Sequence, residues 1–164
     1  MSQAMAELFR QITTGVYVVG VSAEQQHNAF TAAWLMPVSF QPLLLAISVN
    51  PQHRSYRLIQ SSKRLSVNVL RRDQLALAAH FGQPASVDKL SSIAWHPGVS
   101  GTPLLDDVAA HFECEVCDCH PAGDHVLVVV KVIDGALHHG AEPPLTYRDT
   151  GNLDGAADIY PDQF

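Results

Sequence analysis

Hydrophobic and polar positions along the chain predict many short strands and a few short helices. Residues 4–12 repeat apolar side chains at the i, i+3, i+4, i+7 spacing of one helix face, so a short amphipathic helix opens the chain. Residues 16–21 and 30–35 are apolar segments on either side of a polar turn over 23–28, which is the pattern of a β-hairpin. The continuous apolar run over 43–49 predicts a strand that is buried on both faces and lies at the centre of the sheet.

Two helices are predicted to cross between strands in the middle of the chain. The first spans residues 54–60 after a loop that contains proline, and a strand over 64–70 follows it. Asp73 is expected to cap a second helix over 75–81, which Gly82 ends.

A long loop and a long hairpin dominate the second half of the chain. Residues 83–103 carry several prolines and glycines, and a loop of this length in a compact domain is usually functional or contacts a partner. Strands over 108–119 and 125–137 are expected on either side of a turn. Residues 145–148 are a candidate for a last short strand, and residues 151–164 for a coil on the surface or on a partner subunit.

The strand count, the scarcity of long helices and the absence of regular β-helix-β alternation favour a small barrel with short helices over a doubly wound sheet. The length of 164 residues favours one domain, which we place over residues 1–150, with a C-terminal tail over 151–164. Hydrophobic residues make up 47% of the chain and charged residues 16%, which excludes a disordered chain.

Net charge and the length of the apolar runs exclude two classes of partner. The formal charge of −6 argues against a protein that binds duplex nucleic acid by neutralising its phosphates. The longest apolar runs, 43–47 and 126–130, are far shorter than the roughly 20 residues of a membrane-spanning helix. Glu7 and Arg10 interrupt any apolar signal-peptide segment, so we expect a cytoplasmic protein.

The three cysteines do not predict a disulfide framework, because an odd number cannot all pair within one chain and the cytoplasm keeps thiols reduced. Cys114, Cys117 and Cys119, with His111 and His120 nearby, resemble a metal-ligand cluster in spacing. In a strand, however, Cys114 faces away from the other two cysteines. The stretch also lacks the turn residue that a zinc knuckle needs, so no metal site is expected.

Common nucleotide-binding, hydrolase and zinc-protease signatures are missing, so the chemistry must come from another kind of site. A series of short motifs runs along the chain instead: Thr14–Val19, Asn28–Trp34, Pro37–Phe40 with Pro42, Ser66–Leu70, Ala79–Gly82, Lys89, Gly123–His125 and Pro144–Tyr147. In this order the motifs resemble those of the flavin reductase-like, FMN-binding split-barrel family over nearly all of residues 9–148. The combination is specific, although no single motif is.

The resemblance implies a mainly β split barrel with short helices, a homodimer that binds FMN, or alternatively FAD, at the subunit interface. It implies a flavin reductase that transfers a hydride from NADH or NADPH to the flavin and supplies a monooxygenase or an electron-transfer partner. Ala33 stands where the family commonly has Ser, and Leu90 where it has Phe. The missing hydroxyl bears on flavin affinity or on the choice between FMN and FAD, because backbone N–H groups can also hold a phosphate.

The flavin ring needs a flat, mostly apolar slot with backbone donors and acceptors at its pyrimidine edge. Two segments offer both: Thr31, Ala32, Ala33 and Trp34, and then Ser48, Val49 and Asn50. The strand end over 46–50 and Lys89 are candidates for stabilising the negative charge that hydride addition leaves near N1 and O2. Arg54 and Ser55 begin a helix, and a helix N-terminus with these side chains suits the flavin phosphate.

His125 is the catalytic candidate, because it starts a strand directly after Gly123–Asp124, and the resemblance implies a role in placing the nicotinamide. Hydride transfer needs no protein acid, so orientation of the substrate is the expected role. Phe81 and Tyr147 are further candidates for cofactor contact.

Each candidate has a structural alternative. His125 would be a solvated turn residue, Arg54 and Ser55 an exposed helix start, and Lys89 a solvated loop charge. Trp34 and Tyr147 would pack in the barrel. The neighbouring His138 and His139 are expected to be a solvated pair.

Two other classes of function stay open at this point. One is an FMN-containing electron-transfer flavoprotein that does not turn over NADH or NADPH. The other is a barrel without a redox task that binds haem or a pyridoxal-like cofactor.

Overall fold

The computed structural model describes residues 2–164, which form three short α-helices and nine strands. Two short 3-10 helices, Tyr147–Thr150 and Ala156–Asp158, follow the last strand. The helices are α1 (Ser2–Phe9), α2 (Arg54–Ser62) and α3 (Leu75–Phe81). The strands are β1 (Tyr17–Ala23), β2 (Gln26–Ala32), β3 (Leu35–Ser39), β4 (Leu44–Val49), β5 (Arg64–Val69), β6 (Trp95–Pro97), β7 (Pro103–Leu105), β8 (Ala110–Ala122) and β9 (His125–Leu137).

Seven strands form one sheet in the order β2-β1-β5-β8-β9-β4-β3, and β6 and β7 form a separate two-stranded ribbon. All of the named strand pairs are antiparallel. The predicted mainly β fold with short helices is confirmed. Among residues 2–164, no helix combines the length and the apolar character that crossing a membrane requires.

The position of β4 differs from the prediction. It lies between β3 and β9, one strand from the edge of the sheet, whereas the apolar run over 43–49 suggested a central strand. Leu45, Ala46 and Ile47 are nevertheless buried in succession, so both faces of the strand are covered. Because the sheet curls, burial of both faces does not require a central position.

The first hairpin has a tighter turn than the polar stretch over 23–28 suggested. Ala23 pairs with Gln26, so only Glu24 and Gln25 form the turn, and both have positive φ (52° and 67°). Two positive φ angles match the twist of the flanking strands, but such turns usually contain Asn or Gly. The sequence lacks that signal, and β2 therefore begins within the polar stretch.

Two predicted details of the helices and the last strand are wrong. Gln74, not Asp73, precedes the first turn of α3, because the Asp73 carboxylate instead accepts a bond from Arg71 Nε at 3.1 Å. The segment 145–148 forms one isolated bridge, at Thr146, and then begins a 3-10 helix, which Thr146 and Asp149 cap reciprocally.

The C-terminal tail packs on the N-terminal helix. The rings of Phe9 and Tyr160 stack with centroids 5.0 Å apart, and Arg10 Nη2 donates to the carbonyl of Gly151 at 2.8 Å. The predicted division into a domain and a tail stays a prediction.

The core has two parts, on opposite faces of β1. Val19 and Val21 belong to the barrel interior, which is formed by side chains of β3, β4, β5, β8 and β9 and by Ile59 of α2. Val18 lies on the other face, in a second cluster that contains Phe81 of α3. Both faces of β1 are therefore buried.

Buried polar side chains fasten the β6–β7 ribbon to the outer face of the sheet. Ser66 Oγ and Asn68 Nδ2 donate to the carbonyl of Pro103, and Asn68 Oδ1 accepts from the N–H of Leu105. The carboxylate of Glu113, which is 2% exposed, accepts bonds from Val99 N–H at 3.1 Å and from Ser100 N–H and Oγ at 2.7 and 2.6 Å. These contacts bind backbone groups that the ribbon leaves unpaired.

The long β8–β9 hairpin bends at two irregularities, between Glu113 and Cys114 and between Val116 and Asp118. Cys114 points into the core, and burial raises the pKa of its thiol to about 12. Cys117 is exposed at the second irregularity. The described residues 2–164 contain no group of three or more His, Cys, Asp or Glu side chains arranged to hold a metal ion.

Candidate functional site

Three of the candidate residues meet at one end of the sheet, where β3 and β9 begin and β4 ends. The N–H of Ser48 donates to the carbonyl of Trp34 at 2.9 Å, and the rings of Trp34 and His125 lie 5.2 Å apart at 46°. Val49 pairs with Val126, so Asn50 follows at the same end. We call Trp34, Ser48 and His125 the sheet-end group.

Each member of the sheet-end group is partly exposed, in contrast to the core beneath it. Trp34 is 44% exposed, and the His125 side chain is 24% exposed. His125 Nδ1 lies 2.7 Å from Asp124 Oδ1, and this hydrogen bond lowers the pKa of Asp124. Val49 itself is buried in the barrel interior, so only its backbone is available at this end.

A loop of four residues, 50–53, carries the chain from the end of β4 to α2. Asn50 Oδ1 accepts from the N–H of Gln52 at 2.9 Å, a side-chain turn that leads into the helix. His53 precedes the first turn of α2 with no side-chain capping bond. The first N–H groups of α2 therefore have no side-chain cap.

A cleft of about 210 Å³ lies beside the start of α2, between β2 and the loop over 85–90. Its charged lining consists of Arg54, Lys89 and Asp88, two cations against one carboxylate. Arg54 Nη2 donates to Gln26 Oε1 at 2.7 Å. The arrangement favours an anionic group.

Ser55 and Lys89 are held in place by neighbouring residues rather than solvated. Ser55 is 3% exposed, and its Oγ accepts from Asn28 Nδ2 at 3.0 Å. The Lys89 ammonium donates to the carbonyls of Phe81 and Gln83 at 3.3 and 3.1 Å, and burial lowers its pKa. Lys89 is therefore buried, and its structural alternative, a solvated loop charge, is wrong.

The segment 31–33 joins the cleft to the sheet-end group along the end of β2. Thr31 Oγ1 donates to the carbonyl of Ala78 at 2.6 Å, so the hydroxyl anchors α3. Ala32 and Ala33 are half-buried beside it. Their backbone groups, rather than the Thr31 hydroxyl, are what this segment can offer a ligand.

Phe81 and Tyr147 lie apart from both features. Both side chains pack in the second core cluster. Tyr147 OH donates to Asp154 Oδ2 at 2.8 Å, and burial raises its pKa. Tyr147 therefore packs in the core, as its structural alternative predicted. Contact of Phe81 or Tyr147 with a cofactor stays a prediction.

Sequence reasoning missed Gln26, Asn28 and Asp124 as parts of the site. Gln26 and Asn28 alternate on β2 and hold Arg54 and Ser55, but they fall within the stretch that was interpreted as a turn. Asp124 precedes His125 in the motif Gly123–His125. The contact between its carboxylate and the imidazole depends on the two-residue turn, which the sequence did not predict.

An open antiparallel sheet of seven strands with a few short helices defines a split-barrel fold. A family model described as flavin reductase like domain matches residues 9–155. The chain therefore belongs to the flavin reductase-like family, and the resemblance deduced from the motifs is confirmed.

Relatives and solved structures agree with this assignment. The chain is 32% identical over 139 residues to the NADH flavin reductase of Kitasatospora aureofaciens, which covers 83% of this chain and 72% of the relative. It is 31% identical over 131 residues to the reductase subunit of stachydrine N-demethylase from Rhizobium meliloti, which covers 79% of this chain and 56% of the relative. The NADH:FAD oxidoreductase of Streptomyces globisporus superposes with a TM-score of 0.82 at 28% identity, covering 89% of this chain and 88% of that one.

The lengths of the relatives differ from that of this chain. The chain spans 42% and 56% of the length of two Rhizobium meliloti relatives, so these proteins extend well beyond the matched part. The family match over residues 9–155 contains both the cleft and the sheet-end group.

Proposed function

We propose that this protein is a flavin reductase that transfers a hydride from NADH or NADPH to FMN or FAD. The observation that carries the proposal is a cationic cleft joined by one stretch of backbone to a partly exposed tryptophan and histidine, in a chain of the flavin reductase-like family. The names of the Kitasatospora and Streptomyces relatives support the same reaction.

The residues of the cleft fit the phosphate end of a flavin. Arg54 lines the cleft with a positive charge at the start of α2, whose first turn has no side-chain cap. Lys89 also lines the cleft, and because its ammonium is bonded to the carbonyls of Phe81 and Gln83, we propose that it adds positive charge near the phosphate end rather than a direct contact.

The cleft is too small for a whole flavin. Its volume of about 210 Å³ is below the roughly 300–1,000 Å³ typical of pockets for small-molecule ligands. We therefore place the ring outside it, along the backbone of 31–34 and 48–50 and beside Trp34. When bound, the flavin would supply N5 as the hydride acceptor. Backbone N–H groups at the end of β4 other than that of Ser48, which is bonded to Trp34, would stabilise charge at the ring edge, and His125 would orient the nicotinamide.

Substitution of Arg54 tests the phosphate assignment. Arg54→Gln is expected to raise the Kd for FMN about 10- to 100-fold, because it removes a charge-assisted hydrogen bond. Arg57→Gln is the matched control, since Arg57 is exposed on the next turn of the same helix and carries the same charge. Equal affinities in the two variants, measured by flavin fluorescence quenching, would refute the assignment.

Anaerobic reduction tests the reaction itself. With FMN bound, addition of NADH is expected to bleach the visible flavin absorption much faster than it bleaches free FMN. Flavin that binds and does not bleach would favour the electron-transfer alternative. No binding of FMN or FAD would favour the barrel without a redox task.

The role of His125 predicts a particular kinetic change. His125→Ala is expected to raise KM for NADH more than it lowers kcat, because the side chain orients the substrate and exchanges no proton with it. Loss of flavin from this variant would show that the assignment is wrong.

An exposed apolar strip supports a homodimer with the flavin at its interface. Met36, Val38, Phe40 and Leu43, along β3 and the turn after it, are 59%, 44%, 96% and 56% exposed beside Trp34. A second copy would cover this strip and the flavin ring together. Met36→Glu is expected to be a monomer in light scattering. Ile159→Glu is the control, because Ile159 is 77% exposed in the tail, and this variant is expected to stay a dimer. A dimer that persists in Met36→Glu would refute this interface.

A monooxygenase is the partner that we propose for the reduced flavin. The support is a Mycobacterium tuberculosis relative, 30% identical over 134 residues, which is named as the reductase subunit of a flavin-dependent monooxygenase. The proposal includes a cytoplasmic location, where reduced nicotinamide is available.

A further inference from the structure

A two-residue turn places an acidic side chain directly against the histidine of the sheet-end group. Ala122 pairs with His125, so the turn consists of Gly123 and Asp124, and Gly123 supplies a positive φ of 64°. Asp124 is 90% exposed, yet its carboxylate turns back to the ring, with Oδ1 2.7 Å from Nδ1 of His125.

The chemistry of the two groups decides where the ring carries its hydrogen. An ionised carboxylate can only accept a hydrogen bond, so Nδ1 of His125 must be the donor. The bond also lowers the pKa of Asp124, so the carboxylate stays ionised at neutral pH. In the neutral imidazole, Nε2 then has no hydrogen and is an acceptor. The Trp34 ring, 5.2 Å away, restricts rotation of the imidazole.

We propose that Asp124 is a positioning residue that fixes His125 in the Nδ1–H form, so that Nε2 accepts a hydrogen bond from the carboxamide NH₂ of the nicotinamide. The proposal rests on the proposed flavin reductase function for its ligand. It also specifies which group of the ligand Nε2 of His125 recognises, namely a hydrogen-bond donor rather than a carbonyl oxygen or a phosphate.

A second Asp–His pair on the same hairpin provides a matched control. Asp118 Oδ2 lies 3.1 Å from Nε2 of His120, and both side chains are more than half exposed. The pair engages the other ring nitrogen and has no aromatic neighbour comparable to Trp34 among the aromatic contacts of residues 2–164. Asp118→Asn therefore makes the same change of charge without affecting His125.

The substitution Asp124→Asn preserves the shape of the side chain and replaces a group that can only accept by one that can also donate. Its amide accepts from Nδ1–H through Oδ1 or donates to Nδ1 through its NH₂, so the Nδ1–H form is no longer enforced and the Nε2–H form, with a donor at Nε2, becomes populated. Long-range ¹H–¹⁵N correlation spectra of the full-length protein report the form of His125 directly and need no turnover. The Nδ1–H form is expected in the wild type and in Asp118→Asn, and a substantial population of the Nε2–H form in Asp124→Asn.

Steady-state kinetics test the consequence for the substrate. Asp124→Asn is expected to raise KM for NADH about 3- to 10-fold, the effect of one neutral hydrogen bond, and to change kcat less than about twofold. Asp118→Asn should match the wild type, and Asp124→Glu, which restores a carboxylate, should recover part of the loss.

The outcomes separate this inference from the function on which it rests. An Nδ1–H form as fully populated in Asp124→Asn as in the wild type, or a KM unchanged in that variant, overturns the inference while leaving the reductase function intact. Absence of NADH oxidation by the wild type, with the Nδ1–H form present, overturns the reductase function and the nicotinamide ligand with it.

Discussion

The buried carboxylate of Glu113 is the most demanding polar contact between the β6–β7 ribbon and the sheet. It accepts three hydrogen bonds from Val99 and Ser100, and the carboxylate lies directly beneath Gly98, where an added Cβ would clash with it. Within residues 2–164, its hydrogen-bond donors are two backbone N–H groups and one hydroxyl, without a cationic side chain.

Glu113→Gln tests this contact with the smallest change of shape. Hydrogen bonds to a charged group contribute about 1.5–3 kcal/mol each, and a buried donor left without a partner costs about 1–3 kcal/mol. Gln offers one acceptor oxygen, so its NH₂ must face a backbone N–H of Val99 or Ser100. The lower cost of burying a neutral group offsets part of the loss. We expect a net loss of about 2–4 kcal/mol, a large share of the roughly 5–15 kcal/mol stability of a domain.

Urea denaturation measures this loss as a lower midpoint at an unchanged m-value. Thermal unfolding should show a Tm lower by roughly 5–15 °C for a chain of this size. Glu115→Gln is the control, because Glu115 is about half exposed and faces Arg64 at 3.7 Å, and it should change stability by less than about 0.5 kcal/mol. A Glu113→Gln variant as stable as this control would refute the assigned role.

Three further predictions concern stability. Phe81→Ala should lower the free energy of unfolding by about 3–5 kcal/mol in urea, because the ring is fully buried in the second core cluster. The hydrogen bond from Arg71 lowers the pKa of Asp107 in the folded state, so the pair stabilises the fold at pH values above the unfolded pKa near 4. This contribution is lost as the pH falls through the folded pKa. Asp107→Asn should therefore make the free energy of unfolding depend less on pH in the acid range, and an unchanged dependence would contradict this. Tyr147→Phe removes the bond to Asp154 and should cost about 1–2 kcal/mol, with faster hydrogen exchange in the tail.

The strands and helices were largely predictable because their signals are local. The helix over 75–81 and its end at Gly82 follow from spacing and from one residue type. Asp73 shows where local reasoning fails, since the Arg71 guanidinium takes the carboxylate that would otherwise cap the helix. The tight turn at Glu24 and Gln25 was likewise missed, because pairing of the flanking strands imposes positive φ on residues that do not favour it.

The candidate site was predictable in part. The predicted helix start gave Arg54 and Ser55, and the motifs gave Lys89 and His125. The structure puts the first three beside or within the cleft. Their polar partners on β2 were not predictable, because which residues of one strand face a distant helix depends on the register of the hairpin.

Ser66, Asn68 and Glu113 show the same limit for the fold. Polar residues at alternate positions of a strand ordinarily indicate a face in water. Here that face is covered by the backbone of the β6–β7 ribbon, which needs polar partners rather than apolar ones. The covering segment is distant along the chain, so the alternation alone predicts the wrong environment.

The short connection between β2 and β3 has a mechanical consequence. These strands are the two outermost of the sheet, yet only Ala33 and Trp34 separate them in the chain. Three Cα–Cα steps reach at most about 11 Å, so the two margins are tethered side by side by covalent bonds instead of by a hydrogen-bonded ladder. The carbonyls of Ala33 and Trp34 accept from the N–H groups of Leu35 and Ser48 at 3.0 and 2.9 Å, so hydrogen bonds also fix the path of this connection. A circular permutant opened there would preserve every strand pair while releasing the two margins from each other.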